Sequence, residues 1–170
     1  MARAVVAPDV IEDTCRWTKL GYESPYKREA LGFLYGSIAS PQEIIVTTAK
    51  LYRGGIRTRT TAECDLRAMQ RRREELAKQL SLHVLGMFHS HVEIAGEPGH
   101  AISPDDACEF GTDEGARIEA VVSVWAVERP PRATSRRVLV GYDPSSRYAY
   151  HIRLYAKTKL GPRLMQVTRG

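Results

Sequence analysis

A chain of 170 residues, 43% hydrophobic and 26% charged, is long enough to bury a core and falls in the size range of one domain, residues 1–170. No apolar run approaches the roughly 18 residues of a membrane helix and no signal-peptide pattern opens the sequence, so the expectation is a cytoplasmic protein without a membrane partner. The net charge of +5 comes without basic stripes interleaved with aromatics, which argues against nucleic acid, and three separated cysteines make neither a disulfide framework nor a CxxC zinc pair.

From about Pro8 to Leu20, the spacing of Val10, Ile11, Cys15 and Trp17 predicts an amphipathic helix ending before Gly21. After the turn-like Ser24-Pro25, residues Glu29 to Tyr35 read as a strand. Leu31, Phe33 and Tyr35 share a face with Glu29, while Ala30, Gly32 and Leu34 take the other. Ile44 to Thr48 reads as the partner strand. Thr60-Thr61-Ala62-Glu63 has the capping-box pattern and predicts the start of a helix carrying Leu66, Met69, Leu76 and Leu80, with Arg71–Arg73 mostly on its exposed side. Leu82 to His91 is apolar enough for the middle of a sheet. A loop with Gly96, Pro98 and Gly99 follows. Ser103-Pro104-Asp105-Asp106 then opens another helix, Ser at the cap and Pro in the first turn. Ala120 to Val127, Val138 to Tyr142 and Tyr148 to Leu154 read as further strands. The order α, β, β, α, β, α, β, β, β is that of a mixed α/β domain.

The chemistry gathers in three places. His89 and His91, at i and i+2 on a strand, point to the same face, so both rings can reach one zinc ion. Asp106, in the first turn of the next helix, can face back toward that strand end. Two His and one carboxylate are a ligand set of hydrolytic zinc sites, with a fourth position open to water. A helix cap alone accounts for Ser103 to Asp106, but not for the histidines. Glu29 reads locally as a solvated strand-end glutamate. Beside a metal site it becomes a group that takes a proton from water and returns it to a leaving amine.

Taken together, Glu29-Ala30-Leu31-Gly32-Phe33-Leu34-Tyr35-Gly36, Met87-Phe88-His89-Ser90-His91 and Ser103-Pro104-Asp105-Asp106 resemble the JAMM (MPN-plus, or JAB-domain) metalloproteases of prokaryotic type. The resemblance spans roughly residues 8 to 155 with the three motifs in the family's order. It implies a cytidine-deaminase-like α/β fold whose curved mixed sheet packs with helices. It implies zinc held by His89, His91 and Asp106, Glu29 as general base and then acid, and Ser103 as a hydrogen-bond donor to the tetrahedral oxyanion, worth ~2–4 kcal/mol by analogy. The implied substrates are isopeptide or peptide bonds after the C-terminal tail of a ubiquitin-like protein, which makes such a protein or its conjugates the expected partner. A non-catalytic scaffold of the same family is the alternative; such members lack part of the metal set, whereas all five matched positions stand here.

The chain departs from the family between the second and third motifs. Eleven residues, Val92 to Ile102, separate His91 from Ser103, several more than the family's usual spacing, and Val92 stands where Pro is frequent. Within this insert His100 reads either as a surface residue or as a fourth ligand that quiets the zinc, and Glu93 and Glu97 carry the same two readings.

Overall fold

The computed structural model describes residues 2–54, 56–57, 62–63, 65–93, 99, 101–132 and 135–170. Along the chain these form β1 (Arg3–Val6), α1 (Pro8–Tyr22), β2 (Leu31–Ser40), β3 (Glu43–Leu51), β4 (Ile56–Arg57), β5 (Ala62–Glu63), α2 (Leu66–Leu80), β6 (His83–Val92), α3 (Pro104–Thr112), β7 (Ile118–Ala126), β8 (Leu139–Asp143), β9 (Tyr148–Thr158), β10 (Gly161–Leu164) and β11 (Gln166–Arg169). The fold is mixed α/β, as expected, with the three expected helices and more strands than the residue pattern suggests.

The principal sheet runs β10-β9-β7-β6-β2-β3-β1-β11, with β8 also paired to β9. It is mixed: β6 lies parallel to β7, and β1 lies parallel to both β3 and β11, while the β2–β3, β2–β6 and β7–β9 pairs are antiparallel. The two ends of this path, β10 and β11, are joined by the single buried residue Met165. The sheet therefore has to curl until its ends meet. Two bonds tie β11 to the segment bearing β8: Val167 N donates to Arg136 O at 2.8 Å, and the Arg169 guanidinium donates to Val140 O at 2.7 Å. The result is a curved, nearly closed sheet.

Strand β2 shows the alternation expected of it. Leu31, Phe33 and Tyr35 pack with Met69 and Ala77 of α2, whereas Ala30 and Leu34 join the larger core with Val10, Ile11, Val46 and Leu85. Gly32 has to be glycine because a Cβ there would lie 2.3 Å from Lys50 O and 2.4 Å from the Phe88 ring. Helix α1 starts on Pro8 and buries Val10, Ile11, Thr14 and Thr18, one continuous face. Thr14 tolerates burial because its hydroxyl donates to Val10 O at 2.7 Å. Trp17 stacks on Phe88, ring centroids 5.7 Å apart.

Three expectations around α2 are corrected. Its N-terminus is not the Thr60–Glu63 box: Ala62–Glu63 pairs as strand with Ile56–Arg57, and Thr60 and Thr61 lie outside the described residues. Asp65 is the cap, its carboxylate accepting from the Arg67 and Ala68 amides. Arg71 and Arg72 face solvent, but Arg73 is only 3% exposed and grips Asp113 with both terminal nitrogens, at 2.5 and 3.1 Å. Leu66, expected on the apolar face, is exposed.

Candidate metal centre

Strand β6 lies inside the sheet between β2 and β7, and α3 is the crossover between the parallel pair β6 and β7. A crossover must leave the C-terminal end of one strand and return to the N-terminal end of the next, so the first turn of α3 lies near the end of β6. This connection brings Asp106 to the histidines. Ser103 caps the helix: its hydroxyl accepts from Asp106 N at 3.1 Å, and Asp106 Oδ2 accepts from Ser103 N at 3.2 Å. The carboxylate is held by the capping box in the orientation it presents.

His89 Nε2 lies 3.0 Å from His91 Nε2, and each lies 3.3 Å from Asp106 Oδ2. A tetrahedral ion with bonds of ~2.0–2.1 Å sets its ligands ~3.3 Å apart, so this near-equilateral triangle matches three corners of such a site. His89, His91 and Asp106 form a group that can hold a metal ion.

The far side of each ring supports that reading. His89 Nδ1 is 2.7 Å from Glu119 Oε1, and His91 Nδ1 is 3.2 Å from Gly99 O. A carbonyl and a carboxylate only accept, so both Nδ1 atoms carry the hydrogen and both Nε2 lone pairs are left for the shared point. Gly99 O is itself fixed by the Ser123 hydroxyl at 2.5 Å. These outer partners lock tautomer and ring orientation, as metal-binding histidines require. Without a metal, protons take over the task. Burial alone would lower the His89 pKa, but the Asp106 and Glu119 carboxylates outweigh it and push the ring up to about 10. Burial likewise raises Asp106, yet bonds from His89, His91 and Ser103 hold its carboxyl far below the usual range.

Glu29 lies two residues before β2, not within it as expected. The register still places it well. Leu31 pairs with His89, and Ala30 and Ser90 exchange two bonds, Ser90 N to Ala30 O at 2.9 Å and Ala30 N to Ser90 Oγ at 2.7 Å. Extending that register by one pair brings Glu29 level with His91, on the face both rings share. Its carboxyl is half-buried, and burial pushes it up to about 7, with His89 pulling down and Asp106 pushing up. The Ser103 hydroxyl donates to Asp106 Oδ2 at 2.5 Å, so its one proton is already engaged.

The insert separates into two parts. Val92 is a buried strand residue, and the Glu93 carboxylate turns to α1 and the loop after it, taking the Tyr22 hydroxyl and Lys27 Nζ, the latter at 3.2 Å. Those partners account for Glu93 without a metal. His100 and Glu97 lie outside the described residues. Glu119 was not foreseen from the sequence, although it faces the same way as the histidines: β6 and β7 pair Met87 with Glu119 and His91 with Ser123.

No protein-family description matches the chain, and neither does any curated protein. Among solved structures the chain is similar to the solution structure of protein DSY2949 from Desulfitobacterium hafniense, with a TM-score of 0.65 and 15% identity over 98% of this chain and 92% of that one. The likeness is one of fold. Among the described residues no helix is long and apolar enough to cross a membrane.

Proposed function

We propose that this chain is a zinc-dependent peptidase of the JAMM type, with the cytidine-deaminase-like fold of that family, cutting the peptide or isopeptide bond after the tail of a ubiquitin-like protein. The observation that carries the proposal is the triangle of His89 Nε2, His91 Nε2 and Asp106 Oδ2, with sides of 3.0, 3.3 and 3.3 Å, facing a half-buried carboxyl from the neighbouring strand end. Zinc, when bound, supplies Lewis acidity and brings the pKa of water from 15.7 toward ~7.

The remaining steps belong to the chain's own side chains. His89, His91 and Asp106 would hold the ion. Glu29, raised to about 7, is matched to accept the attacking water's proton near neutrality and to hand it to the departing amine. Ser103 donates to the carbonyl oxygen as charge builds there, which requires its proton to leave Asp106. Glu119 and Gly99 O keep the two rings from turning.

The test is a panel of ubiquitin-like fusions incubated with the purified protein, with and without a zinc chelator, beside a zinc assay. The wild type should carry about one equivalent of zinc and lose cleavage with the chelator. Glu29→Gln should keep the zinc and lose turnover by ~100-fold or more. A zinc-free wild type that still folds would leave a scaffold in place of an enzyme, and appreciable cleavage by Glu29→Gln would remove that residue from its role.

A further inference from the structure

A groove of about 340 Å³ opens between the C-terminal half of α1, the start of β2 and the end of β3, with Glu29 among its lining residues. Its apolar walls are Trp17, Leu20 and Leu51, and Leu20 is 62% exposed. Arg28 and Arg53 also line it, both exposed, and neither guanidinium meets a carboxylate among the described residues. That volume is in the range of ligand sites. An apolar trough carrying two cations that meet no carboxylate among the described residues calls for an occupant with apolar side chains and negative charge.

We propose that this groove receives the tail of the substrate and selects one with an apolar residue next to an acidic one shortly before the scissile bond, rejecting tails that are basic there. The inference rests on the peptidase reading, which makes Glu29 the point where the cut occurs. A chain end is slender and extended enough to lie in an open trough, whereas the protein on the amine side of the bond is folded. Arg28 and Arg53 attract an aspartate or glutamate, and a lysine or arginine in its place meets two like charges. The two arginines are specificity determinants, separate from the groups that hold the metal or move protons.

Short product peptides test this without turnover, so the groove and the chemistry fail separately. Calorimetric titrations compare peptides ending Leu-Asp-Gly-Gly, Leu-Ala-Gly-Gly and Leu-Lys-Gly-Gly, which share one terminal carboxylate, together with a short single-stranded oligonucleotide. The Asp peptide should bind at least tenfold more tightly than the Lys peptide at low salt, with a smaller ratio as salt rises. The Arg28→Glu, Arg53→Glu double variant, changed only at exposed side chains, should invert that order. Equal binding of the Asp and Lys peptides, an unchanged ratio in the double variant, or displacement of the Asp peptide by a more tightly bound oligonucleotide would each overturn the proposal. Acid-selective binding by a protein that cleaves nothing would uphold the groove and refute the peptidase.

Discussion

His89 meets a carboxylate at each ring nitrogen, Glu119 at Nδ1 and Asp106 near Nε2, and the two contacts do different work. The Glu119 contact fixes which nitrogen carries the proton and so leaves Nε2 able to bind a metal. Glu119→Gln removes the charge and loosens that preference, because an amide can also present a donor to Nδ1. Its zinc affinity, read by competition with a chromophoric chelator, should fall ~10–100-fold, while His89→Ala should lose tight binding altogether. Unchanged affinity in Glu119→Gln would show that packing alone holds the ring. The histidine pair and Asp106 were legible because their spacing is local and their chemistry uncommon. Glu119 was not, since it sits one residue before the expected start of its strand, and its partner is set by the register of β6 on β7. The available signal was an acidic side chain at the mouth of an otherwise apolar run.

The element that matters most is α3, whose N-terminal turn carries Ser103 and Asp106. Its other end is anchored by Arg73 of α2, which binds Asp113 through two nitrogens, and by Lys157 Nζ, which donates to Asp113 O at 2.7 Å. Arg73 looked like one of three solvent-facing arginines. Yet it falls four residues after Met69 and four before Ala77, both buried, so helical spacing alone marks its face. The Thr60 box misled for the opposite reason: hydroxyl and carboxylate three residues apart cap turns as readily as helices. The Ser103 box did predict a helix, because Pro104 follows the cap in the first turn. Burial raises the Asp113 pKa, but the Arg73 guanidinium outweighs this and holds it below the ordinary carboxylate value. A depressed folded pKa gives stability that is present above the unfolded value, ~3.9, and lost as pH falls through the folded one. Asp113→Asn leaves Arg73 buried without a counter-charge and should cost about 3–5 kcal/mol at pH 7. In urea titrations the gap from wild type should narrow steadily below about pH 4. A gap independent of pH would mean that the bond matters for its shape and not for its charge.

At the scale of the whole molecule, the strands of the principal sheet missed by sequence reasoning are those that close it. β1, β10 and β11 span four residues each, too few for alternation to register, and their partners are far away in the chain: β11 pairs with β1, and β1 with β3. The hairpin β2–β3 and the long strands β6, β7 and β9 were readable because their apolar runs are long. Closure depends on Met165, which is buried and bonds through its amide to Leu154 O at 2.9 Å while the chain passes from β10 to β11. Met165→Ala leaves that backbone bond but opens a cavity at the seam, for a loss of about 2–5 kcal/mol in urea unfolding. If the seam joins both ends of the sheet, amide exchange in β1 and in β9 should speed up together, because each flanks one of the strands that Met165 connects. Acceleration confined to β10 and β11 would show an edge fraying on its own, and the sheet would then be curved without being held shut.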